Sequence, residues 1–92
     1  MKKQLSQVNT FNVTFEVGEA PTEPTLIEWK DCVLRHRLMN EENAEYFDAC
    51  INRDLVEVAD ALGDQLYILC GTILAHGMQH VIEDVFKEIH AS

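Results

Sequence analysis

The chain has 92 residues and sets seven Lys and Arg against sixteen Asp and Glu, a net charge of −9. That length fits one small domain with a thin core, and that charge excludes non-specific binding to nucleic acid or to anionic membranes, which needs a basic face. With 47% apolar and 25% charged residues the composition is that of a globular protein. Cys32, Cys50 and Cys70 are odd in number and form no CxxC, which points to reduced thiols rather than a disulfide scaffold. Lys2 and Lys3 lead into Gln4, Ser6 and Gln7 where a signal peptide would be apolar, and no run approaches the roughly 18 apolar residues of a membrane span. The expectation is a soluble, cytoplasmic protein that leans on further copies of itself to complete its core.

Residues 3–17 carry two patterns. Phe11, Val13, Phe15 and Val17 alternate as in a strand, whereas Val8, Phe11 and Phe15 fit a helical stripe. Gly18 to Pro24, with two prolines and a glycine, reads as a loop. Thr22 is placed to cap a second helix with Pro24 in its first turn, where the missing amide proton is no loss. Leu26, Trp29, Val33 and Leu34 would form its apolar face, with Trp29 in the core. Asn52-Arg53-Asp54 reads as a tight turn, and Asp54 followed by Glu57 has the spacing of a capping box. The third helix then runs from Leu55 to Ala75, apolar around much of its circumference, and Gly77 ends it. Val81, Ile82, Val85, Phe86 and Ile89 define an amphipathic fourth helix. The fold class is all-α: one domain over 1–92, with an N-terminal helix in 1–17, a loop over 18–24 and a helical core over 25–92.

Half of the sixteen acids fall between residues 41 and 64, where Arg53 is the only base. Glu41, Glu45 and Asp48 share one face of the second helix, and Glu57, Asp60 and Asp64 one face of the third. A turn near residue 53 makes the two helices antiparallel, so the faces converge, with Glu45 level with Asp60 and Glu41–Glu42 level with Asp64. Converging carboxylates repel unless cations neutralise them. Asp60 and Asp64 sit in the otherwise core-like stretch from Val58 to Leu66, and hard oxygen ligands on facing helices suit Mg²⁺ or Mn²⁺. The competing reading is an acidic, solvated surface.

Glu42-Asn43-Ala44-Glu45 followed by Glu57-Val58-Ala59-Asp60 resembles the ExxE…ExxD signature of the all-α nucleoside triphosphate pyrophosphohydrolases, which include MazG-type enzymes and phosphoribosyl-ATP pyrophosphohydrolases. The run Ala59 to Tyr67, Gly71-Thr72, Gly77 and the ending Val85 to Ser92 are similar to the phosphoribosyl-ATP pyrophosphohydrolase-like members. The resemblance implies a four-helix, MazG-like fold completed by homodimer or homotetramer formation. It also implies Mg²⁺-dependent cleavage of a nucleotide between its α and β phosphates. Glu42, Glu45, Glu57 and Asp60 become candidate metal ligands, with Glu41 and Asp64 beside them, and Glu41 or Glu45 the acceptor of the proton of the attacking water. Lys87, His90 and Arg35 become candidate phosphate contacts. No base-reading pocket is legible in the sequence, which does not favour phosphoribosyl-ATP over ordinary deoxynucleoside triphosphates.

Two departures from the pattern support a second reading, a catalytically weak or inactive helical interaction module. Relatives place the first acid of the second motif where Ala61 stands, and they continue past the His-Ala-Ser stretch that ends this chain. A third reading is an acidic mimic of nucleic acid. His76 and His80 are four apart but Gly77 lies between them, which disfavours a zinc site.

Overall fold

The computed structural model describes residues 1–14 and 19–92, Thr14 by its backbone. The described residues form four helices and no strand: α1 (Lys2–Thr14), α2 (Trp29–Ile51), α3 (Leu55–Ala75) and α4 (Ile82–Ala91). The helical pattern therefore holds at the N-terminus, with Leu5 and Val8 one turn apart and both buried. Phe11 and Val13 stay exposed; Phe15, Val17 and Gly18, on which the strand pattern and the loop partly rest, lie outside the described residues.

Two compact units share the chain. The first comprises residues 1–27 and 70–92. Its core is Leu5, Val8, Cys70, Ile73 and Leu74, with Ala20, Met78 and Ile82 packed against it. Cys70 is fully buried, and burial pushes its thiol above the ordinary range, so it is a packing residue rather than a nucleophile. The second unit, residues 28–69, is α2 with the first fifteen residues of α3. Ala49 and Ala61 are its buried residues.

Both ends of α3 follow from local chemistry. The Asp54 carboxylate accepts a hydrogen bond from the Glu57 N–H at 3.1 Å, as a helix N-cap does. At the far end the Gly77 N–H reaches Leu74 O at 3.0 Å and the Met78 N–H reaches Ile73 O at 2.9 Å. That pair of bonds is a Schellman motif, and Gly77 takes the left-handed φ of 63° that it requires. Helix α2 ends in the same motif. The Arg53 N–H bonds to Cys50 O and the Asp54 N–H to Ala49 O, both at 3.1 Å, but here Arg53 occupies the left-handed position at φ 54°.

The start of α2 differs from the expected one. Thr22 and Pro24 do not open the helix, which begins at Trp29 after an extended approach, with Glu28 making no side-chain cap. The backbone of 21–25 is bonded elsewhere in its own unit. Pro21 O accepts from Gln79 Nε2 at 2.8 Å, Thr25 N–H donates to His76 O at 2.8 Å, and Thr25 O accepts from His76 Nδ1 at 2.9 Å. In a helix starting at Thr22 that last carbonyl would be needed by the Trp29 N–H. Leu26 and Trp29 are correspondingly 91% and 80% exposed, so Trp29 is not a core residue of the single chain.

Apolar surface is plentiful. Phe47, Ile51, Leu55 and Val56 are exposed around the α2–α3 turn, and Val85, Phe86 and Ile89, the apolar stripe of α4, are exposed as well. Contrary to the expectation that no segment approaches a membrane span, α3 is long and apolar enough to cross a bilayer by length and composition. Core helices of water-soluble proteins meet the same measure, and α3 carries Glu57, Asp60 and Asp64 in its first half.

Candidate metal centre

The site lies on the helical hairpin of the second unit. Glu42 and Glu45, three apart on α2, and Asp64 on α3 bring one carboxylate oxygen each within 4.8 Å of one another. Glu42 and Asp64 are half-buried and Glu45 is exposed. Glu42 Oε2 is buried without a hydrogen-bond partner. Burial first, then repulsion from Glu45 and Asp64, a side-chain hydrogen bond with Glu45 and repulsion from Glu41, holds the Glu42 carboxyl above the usual carboxylate range. A buried carboxylate oxygen without a hydrogen-bond partner, beside two further carboxylates, offers the hard oxygen donors that suit a divalent cation.

The other candidate acids sit beside this group. Glu57 and Asp60 line a crevice of about 330 Å³ together with Glu45, Asp48, Asn52 and Asp54, floored by Ala49 and Ala61. Glu45 thus belongs to both the cluster and the crevice. Of the two aspartates in the core-like stretch, Asp64 is the half-buried one and Asp60 is exposed. Glu57, Ala61 and Asp64 follow steps of four and three along α3, so Ala61 stands between two acids on one face. Glu41 is exposed and pairs loosely with Arg37 at 3.9 Å, a contact of little energetic weight.

The basic candidates are placed differently. Arg35 Nη2 donates to Ile68 O at 2.8 Å, clamping α2 to the middle of α3. Its guanidinium is partly desolvated, which lowers its pKa without neutralising it. Lys87 and His90 are on α4, in the other unit. Lys87 lines a cavity with Lys2, Glu83 and Asp84, and His90 stacks on Phe86 with ring centroids 6.4 Å apart.

The sequence reading did not single out the opposite flank of the hairpin. There His36, Met39, Asn40 and Asn43 from α2 and Gln65 and Leu69 from α3 line a cavity of about 400 Å³. Gln65 Nε2 donates to Asn43 Oδ1 at 3.2 Å. The signal was available in the three- and four-residue steps 36, 39/40 and 43, but amides carry no charge and so stand out less than acids.

A family model described as phosphoribosyl-ATP pyrophosphohydrolase matches residues 8–92, nearly the whole chain. No curated protein and no solved structure matches it. With the all-α architecture and the carboxylate cluster in place, that match is decisive: the chain belongs to the phosphoribosyl-ATP pyrophosphohydrolase family, enzymes of the MazG-like all-α nucleoside triphosphate pyrophosphohydrolase superfamily.

Proposed function

We propose that this protein is a Mg²⁺-dependent pyrophosphohydrolase that cleaves a nucleotide between its α and β phosphates, releasing pyrophosphate. The observation that carries the reading is the convergence of Glu42, Glu45 and Asp64, with an unpartnered buried oxygen among them. The family's own description favours phosphoribosyl-ATP over ordinary nucleoside triphosphates as the first substrate to test.

Glu42, Glu45 and Asp64 are the residues that would hold Mg²⁺, with Mn²⁺ an equivalent by ligand chemistry. Bound there, the ion neutralises phosphate charge and makes water more acidic. Glu57 and Asp60, across the crevice from Glu45, offer further carboxylate oxygens to a second ion. Glu45, the exposed member of the cluster, takes the proton of the water that attacks the α phosphorus, and Glu41 is its alternate. The α–β bridging oxygen leaves with the pyrophosphate. Arg35 fixes the hairpin through Ile68 and so positions the carboxylates. Lys87 and His90 are the candidate phosphate contacts.

The exposed apolar residues Trp29, Phe47, Ile51, Leu55 and Val56 support assembly as a homodimer or homotetramer, because burying them again is worth about 25 cal/mol per Å². The same reading places the protein in the cytoplasm. A second reading, a scaffold with weak or no turnover, is favoured by Ala61, an apolar residue on the acid-bearing face of α3. The two are separated by ³¹P NMR of phosphoribosyl-ATP and a nucleoside triphosphate panel with Mg²⁺. Pyrophosphate and a monophosphate as the products support hydrolysis, whereas orthophosphate or no product refutes it.

A further inference from the structure

The carboxylate cluster spans two helices that its own charge drives apart. Glu42 and Glu45 stand on α2 and Asp64 on α3, with one oxygen of each within 4.8 Å of the others. Like charges at that range repel, so without an ion the cluster opposes the approach of the helices that creates it. Other contacts must hold α2 and α3 together at this level. The Arg35 bond to Ile68 O begins seven residues before Glu42, about 10 Å along the helix axis at 1.5 Å per residue. The turn bonds to Ala49 and Cys50 lie about as far beyond Glu42 on the other side.

At the level of the cluster a bond between side chains crosses the hairpin: Gln65 Nε2 donates to Asn43 Oδ1 at 3.2 Å. Asn43 follows Glu42 and Gln65 follows Asp64, so each partner is one residue, about 1.5 Å of axis and about 100° of helix rotation, from a member of the cluster. A rotation or slide of α2 against α3 that separates the carboxylates also carries Asn43 away from Gln65. At 3.2 Å that bond is already at the long end of its range and has little length to give. The chemistry of the pair suits the position. An acid at 43 or 65 would add to the repulsion, and a lysine or arginine would neutralise the carboxylates and compete with a cation for them. Two amides bond to each other without charge.

We infer that Asn43 and Gln65 are positioning residues of the metal centre: their bond sets the rotation of α2 against α3 at which Glu42, Glu45 and Asp64 converge, and through it the affinity for the cation. The inference rests on that cluster being a divalent-cation site. Its test is isothermal titration of Mg²⁺ into the full chain, with circular dichroism and urea unfolding of every variant to establish that it is folded. Asn43→Ala and Gln65→Ala should each remain folded and weaken Mg²⁺ binding about three- to tenfold, the range for one lost hydrogen bond. The double alanine variant should bind no more weakly than the weaker single one, because the same bond is missing from all three. Exchanging the two amides, Asn43→Gln with Gln65→Asn, keeps their combined reach and should restore most of the affinity. A bond that serves stability alone would lower the urea midpoint and leave the Mg²⁺ affinity of the folded chain unchanged. That result overturns the inference and leaves the carboxylate reading standing, as do losses that add in the double variant or an exchanged pair no better than the double alanine. Absence of Mg²⁺ binding by the wild type overturns the carboxylate reading and this inference with it.

Discussion

Two Schellman motifs with different residues at the left-handed position make an internal comparison. At Gly77 a side chain would meet two penalties. An L residue at φ near 60° costs about 1–2 kcal/mol, offset in part by about 0.4–1 kcal/mol because alanine restricts the unfolded chain more than glycine does. The second penalty is spatial: a Cβ on Gly77 would overlap the Glu23 carbonyl oxygen and press on Pro21 Cβ at 3.1 Å. Moving residues 21–23 aside puts at risk the bonds from Gln79 to Pro21 O and from Thr25 to His76 O, each 2.8 Å and worth about 1 kcal/mol. Gly77→Ala should therefore destabilise by about 3 kcal/mol, a fall in Tm of roughly 12–24 °C for a domain of this size. At Arg53 the conformational cost is already present, so Arg53→Gly should be neutral to stabilising by about 1 kcal/mol. Thermal and urea unfolding followed by far-UV circular dichroism, at one fixed chain concentration, measures both. A Gly77→Ala protein within 1 kcal/mol of wild type, or an Arg53→Gly protein less stable than Gly77→Ala, would refute the reasoning.

Three more outcomes are expected. Arg35→Ala removes a charge-assisted bond to Ile68 O and should cost about 1.5–3 kcal/mol in urea unfolding, while Asp54→Ala, which removes the α3 cap, should cost about 1 kcal/mol. Without metal, Glu42 binds its proton more tightly in the folded than in the unfolded state, so its contribution to stability falls as pH rises from the ordinary carboxylate range through its raised pKa. Glu42→Gln should flatten that part of the pH–stability curve, raise metal-free stability at neutral pH and abolish the gain in Tm on adding Mg²⁺; a variant with the wild-type pH profile and Mg²⁺ response would contradict this.

What could be read from the sequence was what local chemistry decides. Asp54 and Gly77 act within one turn of themselves, and the bounds of α3 follow from them, whereas the Asp54 N–H that the Glu57 side chain would bond in a capping box goes to Ala49 O. The start of α2 is decided by hydrogen bonds from His76 and Gln79, some fifty residues away in the chain, to the backbone of 21–25, and the Thr22–Pro24 pattern loses to them. Trp29 has the spacing of a core residue yet lies exposed, because periodicity identifies an apolar face and not what covers it. The acidic faces were legible as a pair. Which acids meet depends on the rotation of α2 against α3 within the hairpin, and that rotation puts Asp64 with Glu42 and Glu45 while Asp60 borders the crevice.

The central claim is that Glu42, Glu45 and Asp64 form a divalent-cation site that serves a nucleotide. Isothermal titration of Mg²⁺ into the protein, alone and with α,β-methylene-ATP, tests it most directly when repeated on Asp64→Asn. Saturable binding that the analogue tightens and the variant loses is the expected result. Undetectable Mg²⁺ binding in both conditions, or binding of equal strength in Asp64→Asn, would contradict the claim.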